Sequence, residues 1–137
     1  GLANLDSFDA IVENNRRNHG VYAEALTGIP GITLLSYDPA ERNSHHYVVL
    51  EVGDDCPASR DAIIDALHAR NVLARKYFWP GVHRMQPYRD LFPHAGLVLP
   101  QTCAVAERVV VLPNGANISS AQIQAVGDVI RTAALAP

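Results

Sequence analysis

Residues 72–89 read VLARKYFWPGVHRMQPYR, and the organisation of the chain turns on this stretch. Its opening alternates apolar and polar positions, which predicts a strand over 72–77. At Phe78-Trp79-Pro80-Gly81 the strand must stop, because Pro80 lacks a backbone donor and Gly81 tolerates positive φ. Beyond it, His83, Arg84, Gln86, Tyr88 and Arg89 mix with Met85 and Pro87. Rings with polar tips stand beside fixed cations on a loop stiffened by two prolines. Such a loop holds side chains toward a ligand at low entropic cost. The plainer reading keeps Phe78, Trp79 and Met85 in the core and leaves the charges solvated.

Outward from this stretch, the flanks supply a scaffold. Ahead of it, Ser59 can cap a helix over 59–70 with Ile63, Ile64 and Leu67 facing inward, and Asn71 suits a left-handed stop. After it, Phe92-Pro93-His94 closes the loop, and Pro100 can open a short helix through 107. Val109-Val110-Val111-Leu112 has the length and β-branched content of a buried strand. Ser119 and Gln122 form a capping box, with Ile118 able to staple against Ile123, and Ile123, Val126, Ile130 and Ala133 or Ala134 give the buried stripe of a last helix. At the other end, Leu5, Phe8, Val12, Asn15, His19, Tyr22 and Leu26 step by three and four, predicting a helix over 5–26. The middle of that stripe, Asn15 and His19, is polar, and suits either solvent or a hydrogen bond to a second domain. Strands are expected over 32–37 and 46–52, with His45 and His46 on opposite faces. The order α-β-β-α-β-α-β-α reads as α+β, a small, mainly antiparallel sheet with helices packed on one face.

Length and charge narrow the classes. The 137 residues make a single domain with a sizeable core, nearly half its residues apolar. The net charge of −3 argues against a general nucleic-acid binder. No apolar run reaches a membrane span. Two distant cysteines, Cys56 and Cys103, read as reduced thiols of a cytoplasmic protein. The chain starts at Gly1, and its single methionine is Met85, which fits a processed chain, residues left by cloning, or a fragment of something longer. Lys76 is the single lysine, so lysine chemistry within these residues must use it. Between positions 66 and 106 five cations (Arg70, Arg75, Lys76, Arg84, Arg89) face one acid, Asp90, which suits the approach of anions such as phosphates.

No GxSxG, HExxH, Walker A or GxGxxG motif is present. Neither the six histidines nor the loop around His83 and His94 has zinc-ligand spacing. A single cationic neighbour, Arg75, is too little to mark Lys76 as a nucleophile.

Several segments, in order, resemble the C-terminal small domain of the DegT/DnrJ/StrS family, pyridoxal-phosphate-dependent aminotransferases of nucleotide-linked keto-sugars. They are Asn15-Arg16-Arg17 with Tyr22, Leu26 and Ile29-Pro30-Gly31-Ile32; Asn43-Ser44-His45-His46-Tyr47-Val48-Val49-Leu50; Arg60-Asp61 with Leu67 and Asn71-Val72; the run from Tyr77 to Tyr88; and Val111-Leu112-Pro113 with Ile118-Ser119 and Ile123. The resemblance covers essentially the whole chain. It implies the C-terminal domain of a fold-type I aminotransferase, whose missing large domain holds pyridoxal phosphate on a lysine, in a homodimer that shares each active site. By the same resemblance this chain carries no catalytic residue and binds no cofactor by itself. It helps close the cleft over the sugar nucleotide, Tyr77, His83 and Tyr88 lining it and Arg84 pairing with phosphate. The alternative is a free-standing sugar-nucleotide-binding or dimerisation module descended from that domain. If the large domain is missing, apolar surface is expected along Leu5, Phe8 and Val12.

Overall fold

The computed structural model describes residues 6–136; Leu5, at the start of the expected first helix, lies outside them. Helix α1 (Phe8–Ala25) begins with Asp9 in its first turn, where a negative charge meets the positive end of the helix dipole. Residues Asn15, Asn18, Tyr22 and Ala25 form its buried face. The chain leaves it through Gly28 and Gly31, both at positive φ.

Three strands follow in antiparallel order: β1 (Ile32–Leu34), β2 (Val48–Val52) and, late in the chain, β3 (Val109–Leu112), with β2 in the centre. The pleat decides the layers. Val48, Leu50 and Val52 of β2 point to one face, and Leu112 and Val110, the partners of Val48 and Leu50 across the ladder, point the same way. Helix α1, helix α2 (Arg60–His68) and helix α6 (Ser120–Ala134) cover that face, joining Tyr22, Ile63, Leu67, Ile123 and Ile130 to one core. Each such side chain, fully buried, contributes roughly 1.5–3 kcal/mol. The α+β class with helices on one face of a small antiparallel sheet is the observed one.

Helix starts match their signals. Ser59 accepts from the Ala62 amide at 3.2 Å. The capping box at Ser119 and Gln122 is complete on both sides. Asn71 ends α2 at φ 59°. Helices α1 and α6 approach closely at Gly127, which faces Ala25, and Arg131 donates to the carbonyls of Ala25 and Thr27 at 3.0 and 3.1 Å. That contact supplies partners for carbonyls left over at the end of α1.

Three expectations are corrected. The strand over 72–77 shrinks to a bridge at Arg75, which pairs with Val111 beside β3. The Ala74 amide bonds back to Val72 and the Trp79 amide to Lys76, so tight turns on either side take the groups a ladder needs. Next, β1 and β2 are shorter than expected. His45 sits at φ 49°, and the Tyr37 hydroxyl donates to the Tyr47 carbonyl. His45 and His46 therefore lie outside the strand, and face alternation does not apply to them. Last, the stretch after Gly81 is helical in pieces: a 3₁₀ turn (Val82–Arg84), α3 (Tyr88–Leu91), α4 (Ala95–Val98), then α5 (Pro100–Arg108) as expected.

Candidate functional site

The loop from Arg75 onward is moored at its base by a relay of charges. Arg60, buried at the start of α2, donates to the Ala106 carbonyl at 2.9 Å and to Asp61. Asp61 in turn holds the Lys76 ammonium at 2.9 Å, and that ammonium lies 5.6 Å from the centre of the Trp79 ring. A buried guanidinium without partners would be costly; here each charge meets another. The Lys76 hydrogen bond, ahead of Arg60, holds the Asp61 carboxyl below its ordinary range. Lys76 is thus tied up as a cation, unlike a lysine free to take a cofactor's aldehyde. The one lysine present does not fit pyridoxal phosphate.

The four candidate residues fall into three places, His83 and Arg84 sharing one. Tyr77, half-buried, stacks on Phe78 with ring centres 5.1 Å apart and meets the Tyr47 ring edge-on at 6.3 Å. The Arg75 guanidinium lies 5.5 Å from the Tyr77 ring centre and donates to its hydroxyl. Arg75 is thereby held in place by an aromatic platform, and no carboxylate pairs with it among the described residues. His83 and Arg84 sit on the 3₁₀ turn, both turned toward Cys103 of α5. Gly81, at φ 94°, makes room for this: a Cβ there would lie 2.7 Å from the His83 ring. Arg84 also pairs with Glu107 at 3.3 Å, so its charge is partly answered within the chain. Tyr88, 48% exposed at the start of α3, points away from the core. The structure brings His83 and Arg84 together through Cys103, and among the described residues no side-chain hydrogen bond joins them to Tyr77 or Tyr88.

Beyond Tyr47, the rings continue toward α1. His19, Tyr37 and His45 pack with centres 4.7–5.7 Å apart, and His19 Nε2 lies 3.0 Å from the Leu35 carbonyl. Burial, then the neighbouring charges of His19 and Arg16, push His45 below its ordinary value, and burial raises Tyr37. His19 and Asn15, the polar middle of the α1 stripe, thus bond within this chain: Asn15 donates to the Ser44 carbonyl at 3.2 Å. Sequence reading missed Tyr47 and Cys103 as neighbours of the loop, and Tyr37 as a neighbour of Tyr47. Their ring and sulfur chemistry was visible, but the turn at His45 that aligns Tyr47 was not.

A hollow of about 1000 Å³ runs between α2 and α6 along Ala69, Val72, Leu73, Ile118 and Val129, and holds none of the four candidates. Its walls are mainly apolar, so the cations and polar rings of the loop give the better ligand chemistry. Among the described residues no three His, Cys, Asp or Glu side chains gather to hold a metal ion, and no helix is long and apolar enough to cross a membrane.

Comparison with known proteins gives this geometry a context. The profile of the DegT/DnrJ/EryC1/StrS aminotransferase family matches residues 1–131. The chain is 30% identical over 113 residues to dTDP-4-amino-4,6-dideoxy-D-glucose transaminase of Escherichia coli, covering 82% of this chain and 30% of that protein. Among solved structures it is similar to DesI, determined in the presence of its TDP-sugar product, with 39% identity and a TM-score of 0.88 over 98% of this chain and 34% of that one. DesV of S. venezuelae shares 25% identity at a TM-score of 0.84, over 97% and 34%. The chain spans about a third of the length of the relatives it matches. With a family profile spanning nearly all its length, the chain belongs to the DegT/DnrJ/EryC1/StrS aminotransferase family.

Proposed function

We propose that this chain is the C-terminal small domain of a pyridoxal-phosphate-dependent aminotransferase acting on a nucleotide-linked keto-sugar. In this reading it closes the substrate cleft and carries no catalytic residue. The observation that carries the proposal is the open, cationic ring surface at the loop: Tyr77 half-buried under Arg75, Tyr88 exposed, Phe78 63% exposed. These side chains are not packed into the core, where a purely structural role would put them. A sugar diphosphate asks for such chemistry, rings to lie against and guanidinium groups for the phosphates. Tyr77, His83 and Tyr88 line the cleft. Arg84 meets phosphate by exchanging Glu107 for it, with Arg75 a second cation beside Tyr77.

The cofactor belongs to a large domain elsewhere in the protein, since Lys76 is held by Asp61. When bound, pyridoxal phosphate supplies the electron sink for amino transfer. The working protein is a cytoplasmic homodimer in which subunits share each site.

The test is expression of the gene-length protein and assay of amino transfer from an amino-acid donor to a dTDP-linked keto-hexose. We expect turnover with a cofactor absorbance band, and an Arg84→Gln variant with KM raised about tenfold and kcat little changed, the loss of one charge-assisted contact. A gene that encodes no cofactor-binding domain would refute the aminotransferase reading. Heat on titrating the 137-residue chain with a dTDP-sugar would then favour the free-standing module.

A further inference from the structure

Cys103 reaches the loop from α5, and the loop reading gives it no task. It is half-buried, with its Sγ 3.4 Å from His83 Nε2, 3.5 Å from an Arg84 guanidinium nitrogen and 3.8 Å from the Gly96 carbonyl oxygen. The sulfur thus has a base able to take its proton on one side and a fixed cation on another. These are the two surroundings that turn a thiol into a nucleophile: a partner imidazole, and positive charge to hold the thiolate. Cys56 provides an internal contrast. It too is half-buried, but it packs beside the core and lies against Gly31, and no side-chain hydrogen bond reaches its sulfur among the described residues. Two thiols of similar exposure therefore differ in whether polar side chains reach the sulfur, and the Arg84 beside Cys103 is also paired with Glu107.

We propose that Cys103 is a modification site: a reactive thiol that takes small disulfides, with His83 accepting its proton and Arg84 holding the thiolate. In the exchange, the Cys103 S–H proton passes to His83 Nε2 and the sulfur attacks one sulfur of the small disulfide. A new S–S bond forms as the old one breaks, and the departing thiolate takes the proton back from His83. The products are a mixed disulfide on Cys103 and one small thiol, the small disulfide being the oxidant. The substituent lands between His83 and Arg84. The inference rests on the sulfur's neighbours and stands whether or not the loop binds a sugar nucleotide.

The test uses the 137-residue chain at neutral pH with two disulfide probes, dianionic 5,5′-dithiobis(2-nitrobenzoate) and uncharged 4,4′-dithiodipyridine, the modified cysteine being located by peptide mass. An ordinary thiol is only a few per cent thiolate at this pH, so we expect Cys103 to react about tenfold faster than Cys56. His83→Asn should slow both probes at Cys103 several-fold. Arg84→Gln should slow the dianionic probe more than the uncharged one. Far-ultraviolet circular dichroism confirms that the variants are folded, and the comparison of the two cysteines in the unaltered chain needs no variant. Cys56 reacting as fast as Cys103, or a folded His83→Asn protein with unchanged Cys103 kinetics, would overturn the proposal. An Arg84→Gln protein in which the uncharged probe reacts at an unchanged rate would remove the thiolate-holding role of that residue.

Discussion

Asn18 has no solvent exposure at all, an unusual place for an amide on a helix. Its Nδ2 donates to Asn114 Oδ1 and to the Gly115 carbonyl, both at 3.0 Å, and Asn114 donates onward to the His45 carbonyl at 2.7 Å. One side chain thus ties α1 to the turn after β3 and, through Asn114, to the turn before β2. Asn18→Ala removes the donor, leaving the half-buried Gly115 carbonyl without it and Asn114 Oδ1 with the Gly115 amide alone, so stability should fall by about 1–3 kcal/mol in urea denaturation. A loss under half a kcal/mol would mean that the amide is dispensable. Periodicity placed Asn15 and Tyr22 on the buried face but chose His19 where Asn18 is the residue fully enclosed. Hydrophobic spacing cannot foresee that choice, because the partners of Asn18 lie nearly a hundred positions away, at Asn114 and Gly115. The identities of Tyr77, His83, Arg84 and Tyr88 were readable as a ring-and-cation set. Which of them share a neighbour was not, since Cys103 comes from a separate helix.

Among elements, the pairing of α1 with α6 leaves little room at Gly127. A Cβ at Gly127 would lie 2.8 Å from the Ala25 Cβ and 3.3 Å from its carbonyl oxygen. Gly20, also on α1's length, has nothing within 4 Å of such an atom. Replacing either by alanine brings the same gain in helix propensity, about 1 kcal/mol. Packing then decides the sign. Gly127→Ala should destabilise by about 1–3 kcal/mol because α1 and α6 must part, whereas Gly20→Ala should raise the urea midpoint. Equal shifts in one direction would show that the helices are less closely apposed. Elements with end signals were legible: the Ser119 capping box, the Ser59 cap, the Asn71 stop and the β-branched run of β3. The expected fourth strand failed because Val72, Leu73 and Ala74 form a continuous apolar run before two cations rather than an alternation, and turns take the amides of Ala74 and Trp79. The helical turns after Gly81 escaped notice because α3 and α4 span one turn each, too short to show a period.

At the scale of the whole molecule, apolar surface is distributed unevenly. Leu91, Phe92, Leu97 and Val98 follow one another along the chain, and Leu97 and Val98 are 82% and 78% exposed. Phe8 and Ile11 at the start of α1 are also exposed, as the first-helix stripe led one to expect for Phe8; Val12 is half-buried. Exposed aliphatic runs of this kind mark surfaces that meet another protein surface. In sedimentation velocity the isolated chain should therefore associate as its concentration rises. A Leu97→Glu, Val98→Glu double variant should weaken that association at least tenfold, given roughly 1.5–3 kcal/mol for each buried side chain. A chain that stays monomeric throughout would show that these residues are merely solvated. One further property follows from Trp79, which lies half in solvent against Lys76 and is the single tryptophan of the sequence. Excited selectively, the protein emits from one known point, so nature has placed an optical gauge at the mouth of the loop, and whatever settles there will change its colour or brightness without any label attached.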